Sequence, residues 1–256
     1  MKIQNNFLIF PILFLGINLS GFCSIIDSNA DPVTYYVFPS GDDSKSGTTL
    51  SEAFKTIAKI NVVVQPGDTV CLRSGDYNDP IKPATSGQAG KYITYKAYND
   101  ERPILTEITE PKIAIDLASG IDYICVDGLY ADGRGEHNTA YKSTINTWLA
   151  IGGSYNIIRN CNFHSAKGWY GVEIKETGTY NKILNNRMDL IGNVTITITN
   201  NHESKADKVT ISGFHNLFGG NHFNRGGHNI IGTSQTARFN VIRNNLIEND
   251  LCTQYG

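Results

Sequence analysis

Four stretches decide the fold: NIIRNCNF at 156–163, NKILNNRM at 181–188, NLFGGNHF at 216–223 and NVIRNNLI at 240–247. Each opens on Asn, continues with aliphatic residues, returns to Asn or Gly four or five positions later and closes on a large apolar residue. DYICVDGL at 122–129 fits the same outline with Asp in the Asn places. The starts at 122, 156, 181, 216 and 240 are separated by steps of 34, 25, 35 and 24 residues. A unit of about two dozen residues that sometimes carries a ten-residue insertion is the signature of a solenoid.

Upstream of these motifs lies a second short alternating segment: IDL at 115–117, LAI at 149–151, VEI at 172–174 and VTI at 209–211. Period-two patterning with Gly or Asn corners cannot be a helical repeat. Alternation places Leu117, Ile151, Ile174 and Ile211 inward, stacked at the ~4.8 Å spacing of neighbouring strands. Asn tolerates left-handed corners, and its amide can bond to the Asn of the next coil, giving a ladder. The expected fold is all-β, a right-handed parallel β-helix.

The composition agrees. The 256 residues include 25 Gly and 26 Asn but only 2 Met, which favours turns and strands over helices. With 22 basic and 24 acidic side chains the net charge is -2, too balanced for nucleic-acid binding by bulk electrostatics. Residues 1–24 read as an export signal: Lys2, the apolar run FLIFPILFLGINL at 7–19 and the small-residue exit SGFCS. The run is too short for a comfortable membrane span. Cys23 stands where a lipoprotein cysteine would, but bulky Phe22 precedes it, so lipidation is the minority reading. Cys71, Cys125, Cys161 and Cys252 match no zinc spacing, and no disulfide is expected.

Residues 33–66 look like a cap on coils spanning 67–256. Strand YYVF at 35–38 leads through PSGDDSKSG to SEAFKTIAKINVVV at 51–64, where Ser51 would cap an amphipathic helix with Phe54, Ile57, Ala58 and Val62 against the first coil. Such a plug covers the exposed end of a solenoid. The register around 189–208 is ambiguous, because VTITIT at 194–199 also reads as a strand.

YYVFPSGDDSKSGTTLSEAFKTIAKI, PGDTVCLRSGDYND and SGQAGKYITYKAYNDERPIL, with the NVIRNN-type repeats, resemble secreted bacterial right-handed β-helix proteins of the pectate-lyase-like superfamily over residues 35–256. The repeat is still running at LIENDLCTQYG, so further coils are expected beyond it, the alternative being that another chain covers the last coil. The resemblance implies a polysaccharide lying along an outer face of the coil; no other long apolar run follows the export signal, so no membrane span is expected, and the protein is expected to be a monomer.

A lyase acting on uronates needs a positive group to neutralise the carboxylate, a base for the adjacent C–H and an acid for the leaving oxygen. On the alternating strands Glu173 and Lys175 point outward, beside Asp116, Ala150 and Thr210, with Trp148, Lys208 and His228 in the neighbouring column. Lys175 or His228 would be the base, and Arg225 would hold a carboxylate bidentately. Trp148 would be a sugar platform, with Lys208, Thr210 and His222 as substrate contacts. Glu173 would bind calcium, the candidate cofactor, or orient Lys175.

Plain alternatives stand beside each role. Glu173 and Lys175 also read as a solvated ion pair, and His228 as a corner residue. Trp148 reads equally as a residue covered by an insertion. Asp132, Glu136 and His137 have irregular spacing that suits a solvated loop better than a metal site. The NTD, DD, GHG and RIK motifs of polygalacturonase-type hydrolases are missing, since Asp42-Asp43 falls in the cap and residues 227–229 read GHN. The RxPxxR motif of the main pectate lyase family is absent too. Two functions follow: a secreted polysaccharide lyase acting on an acidic polymer by β-elimination, or a non-catalytic β-helix that binds glycan or serves as a surface module.

Overall fold

The computed structural model describes residues 31–135, 143–168, 170–191, 207–224, 229–233, 235 and 237–248. The export-signal region 1–24, Glu136, His137, the segment 194–199, Arg225, His228 and Cys252 lie outside these residues, as do the side chains of Lys208 and Thr210.

The described residues open with β1 (Thr34–Val37) and the short helix α1 (Ile57–Asn61). Coils then follow through β2 (Thr69–Leu72), β3 (Gly75–Tyr77), β4 (Ile93–Ala97), β5 (Pro103–Leu105), β6 (Ile113–Leu117), β7 (Ile124–Asp127), β8 (Tyr130–Asp132), β9 (Thr147–Ile151) and β10 (Ile157–Arg159). The later coils contribute β11 (Asn162–Ala166), β12 (Tyr170–Ile174), β13 (Lys182–Leu184), β14 (Arg187–Ile191), β15 (Asp207–Ile211), β16 (Leu217–Gly219), β17 (His222–Asn224), β18 (Asn229–Thr233), β19 (Val241–Arg243) and β20 (Leu246–Glu248). Three parallel sheets result. The first runs β1-β2-β4-β7-β10-β13-β16-β19, the second β3-β5-β8-β11-β14-β17-β20 and the third β6-β9-β12-β15-β18. This is the expected parallel β-helix.

The inward row is the one that alternation gives. Leu117, Ile151, Ile174 and Ile211 are adjacent in register and fully buried. In the second sheet Ala131, Phe163, Met188 and Phe223 form the matching row. Full burial of such a side chain contributes about 1.5–3 kcal/mol, and stacking repeats the gain at every coil.

Asn plays two separate parts at the corners. Between first and second sheets, Asn160, Asn185 and Asn244 have φ of 54°, and Gly128 and Gly220 take the same left-handed place at 73° and 67°. The other Asn residues are buried and form ladders. Asn181 Oδ1 accepts from the Asn156 N–H at 2.9 Å, while its Nδ2 donates to the Asn216 Oδ1 at 3.1 Å and the Gly153 carbonyl at 3.0 Å. A second ladder runs through Asn186, Asn221 and Asn245. In the earlier coil the ladder slot belongs to Ile124, whose N–H donates to Asn156 Oδ1 at 2.8 Å. The first step is therefore 32 residues, not 34, and Asp122 lies outside the ladder slot.

An aromatic stack precedes the ladder. Tyr123, Tyr155, Tyr180, His215 and Phe239 all have φ of 55–58° and stack with centroids 4.9–5.0 Å apart. Left-handed angles are unfavourable for bulky residues, and ring stacking along the coil offsets that preference.

The cap departs from its sequence reading. Phe54 is extended and bridges to Val37, so α1 starts later, with Thr56 rather than Ser51 as its cap; Thr56 Oγ1 accepts from the Lys59 N–H at 3.0 Å. The shifted phase buries Ile57, Ile60 and Asn61 and leaves Ala58 and Val62 exposed. Cys71, Cys125 and Cys161 are buried free thiols, and burial raises the Cys161 thiol to about 12. Among the described residues no helix is long and apolar enough to cross a membrane.

Candidate functional site

Because Phe163 and Met188 point inward, their neighbours in β11 and β14 must point out. Across the second sheet this makes two columns. Tyr130, Asn162, Arg187 and His222 form one; Asp132, His164, Asp189 and Asn224 form the other. Arg102, just before β5, lays its guanidinium over the Tyr130 ring, 4.5 Å from the centroid. Arg102, Tyr130, Ala131, Asp132, Asn162, His164, Arg187 and Asp189 line an open cleft of about 280 Å³.

Hydrogen bonds fix the protonation pattern. Burial pushes the Asp132 carboxyl up, but hydrogen bonds from His164 and the Arg134 N–H, with the charges of both residues, outweigh it and leave the group below the usual range. An ionised carboxylate only accepts, so the His164 Nδ1, 3.1 Å from Asp132 Oδ1, carries the proton. In the neutral form of the ring, Nε2 is then a lone-pair acceptor. His222 has the opposite tautomer: Arg187 Nη1 donates to its Nδ1 at 3.2 Å, so Nε2–H donates to Glu248 Oε2 at 2.8 Å. Arg187 also lies 3.9 Å from the buried Asp189 carboxylate.

The residues singled out from sequence fall mainly on the third sheet. Asp116, Ala150, Glu173 and the backbones of Thr210 and Gly232 are in register there. Asp116 is buried and pairs with Lys82 at 2.9 Å, Ala150 is buried, Glu173 is half-buried and Lys175 exposed. No ion pair joins Glu173 to Lys175 among the described residues. Lys208 lies in β15 of the same sheet.

Trp148 does not face the solvent. Expected to face outward as a sugar platform, it is fully buried, stacks on Phe163 at 6.0 Å and donates its indole N–H to the His164 carbonyl at 3.3 Å. Alternation fails at this strand entry, where the ring turns round the corner onto the second sheet. His222 is on the second sheet, one coil beyond Arg187. Asp132, read from sequence as a loop residue, ends β8. His164, Arg187, Arg102 and Asp189 were not singled out; applying alternation to the second strand of each coil would have exposed His164, Arg187 and Asp189.

The chain belongs to the Pel9A-like right-handed β-helix family, whose model for the Pel9A-like, right handed beta helix region matches residues 35–195. Among solved structures, pectate lyase Pel9A superposes with a TM-score of 0.54 and 22% identity, covering 77% of this chain and 48% of its own. The lacto-N-biosidase GH136 from Eubacterium ramulus superposes with 0.51 and 13% identity, covering 84% of this chain and 56% of its own. A 71-residue stretch, 28% of the chain, is 34% identical to the uncharacterized protein YwoF of Bacillus subtilis (strain 168), of which it covers 15%. The chain thus spans about half the length of these solved structures and a small part of YwoF. The structural likenesses show a shared fold.

Proposed function

We propose that this is a secreted carbohydrate-active protein that cleaves an acidic, uronate-containing polysaccharide by β-elimination. One observation carries the reading: within a Pel9A-like coil, the second sheet presents a histidine whose free nitrogen is set by a carboxylate, in the same cleft as two arginines.

Each group has a role. Arg187 binds the uronate carboxylate and stabilises the charge that develops on it as the neighbouring carbon loses its proton. His164 Nε2 takes that proton, and Asp132 holds the ring in the required tautomer and favours the imidazolium formed. The C–H electron pair becomes the ring double bond and the glycosidic C–O bond breaks. The leaving oxygen takes a proton from the Tyr130 hydroxyl, which solvent restores.

Calcium is an alternative means of neutralising the carboxylate. Among the described residues no three His, Cys, Asp or Glu side chains converge to hold a metal, and Glu173 is flanked in register by Ala150 and Thr210. Arg187 serves that purpose in the elimination above, and assays with added calcium and with a chelator test whether the ion contributes. Glu173 and Lys175 offer a competing location on the third sheet.

The experiment is continuous absorbance detection of the unsaturated uronate product with pectate, alginate and glycosaminoglycans, using the unsubstituted protein, His164→Ala and Lys175→Ala. Loss on His164→Ala supports the cleft, loss on Lys175→Ala moves the site to the third sheet, and glycan binding without product supports the non-catalytic module.

A further inference from the structure

Arg102 differs from three other arginines of the early coils. Arg73 pairs with Glu101, Arg134 with Asp76 and Arg159 with Asp127. Among the described residues Arg102 has no carboxylate partner; its guanidinium rests on the Tyr130 ring at the rim of the cleft. Stacking orders the cation while leaving its in-plane N–H groups available for an anion.

Its distance from the second cleft arginine is set by the fold. Tyr130, Asn162 and Arg187 are register partners on successive coils. Arg102 stands on the coil before Tyr130 and its cation lies 4.5 Å from that ring, so the cations of Arg102 and Arg187 are between two and three strand spacings apart, ~10–14 Å, with the neutral Asn162 amide between them. The acidic groups of the cleft, Asp132 and Asp189, stand in the parallel column rather than between the arginines.

Resting on the reading of this cleft as an acidic-glycan site, we propose that Arg102 and Arg187 bind the carboxylates of two uronates separated by one intervening sugar, with the polymer laid parallel to the coil axis. In an extended uronan successive residues turn opposite sides to the protein, so alternate carboxylates fall on one side. The intervening residue places hydroxyls against Asn162. Three sugars are the minimum that engages both cations, and Arg102 is the residue that makes chain length count.

Titration calorimetry with the dimers and trimers of galacturonate, mannuronate and guluronate, and with carboxyl-reduced trimers, tests this on the intact chain. For at least one uronate series the trimer binds at least tenfold more tightly than the dimer, and carboxyl reduction removes the gain. Arg102→Gln brings the trimer to the dimer's affinity without changing the dimer, and thermal unfolding verifies that the variant is folded. Equal affinity of dimer and trimer, an unaffected trimer in Arg102→Gln, or no binding of any oligomer overturns the proposal. Chain-length-dependent binding without unsaturated product leaves this site standing and removes the lyase reading; turnover without the length dependence does the reverse.

Discussion

Asp132 and His164 are each a small part of the surface, yet their single hydrogen bond determines which ring nitrogen is available. The lowered pKa of Asp132 also has a consequence for stability. A carboxyl whose folded pKa is depressed contributes stabilisation that is complete above its unfolded value, about pH 4, and is lost as pH falls through the lower folded value. The thermal midpoint of the parent protein should therefore fall on going from pH 5 to pH 3 more steeply than that of Asp132→Asn. Parallel pH profiles for the two proteins would contradict the assignment. Trp148 supplies a second test at this scale. Fully buried against Phe163, it should cost about 3–5 kcal/mol on substitution by Ala, read from the urea midpoint; an unchanged midpoint would return it to the surface.

Elements are held in register by the ladders. Asn181→Ala removes the acceptor for the Asn156 N–H and the donor to the Gly153 carbonyl. Each buried group left without a partner costs about 1–3 kcal/mol, so this variant should be destabilised more than Asn240→Ala, whose ladder contacts are only partly buried. Equal urea midpoints for the two variants would show that burial does not set the ladder's worth. The ladder itself was legible, because only Asn recurs at these corners with aliphatic residues between. Its phase in the first repeat was not, since Ile124 fills the slot and nothing in DYICVDGL distinguishes it from Asp122. The aromatic residue immediately before Asn156, Asn181, Asn216 and Asn240 was an unused signal for the ring stack.

The cap was misphased for a comparable reason: helical periodicity in SEAFKTIAKI cannot reveal that Phe54 is already bridged to Val37. At the site, alternation was sound within a strand but was applied to the third sheet, leaving His164 and Arg187 of the second unread. It also fails where a strand begins at a corner, as at Trp148. Arg102 had no such pattern to betray it, because its position depends on a contact across coils with Tyr130.

For the whole molecule, winding brings residues 25 to 32 positions apart in sequence into adjacent places on one face, so that Asp132, His164 and Asp189 share a cleft without any local motif. Rigid stacked sheets suit a site whose chemistry depends on fixed separations between cations and a base. The most direct test is the rate of unsaturated-uronate formation by the unsubstituted protein and by His164→Ala on the acidic polysaccharide that the unsubstituted protein turns over fastest. The variant should be slower by roughly 10²–10⁴-fold, as expected for removal of a general base, with its thermal midpoint within a few degrees of the parent. Undiminished turnover by a folded His164→Ala, or no product from any uronate polymer with the unsubstituted protein, would contradict the account.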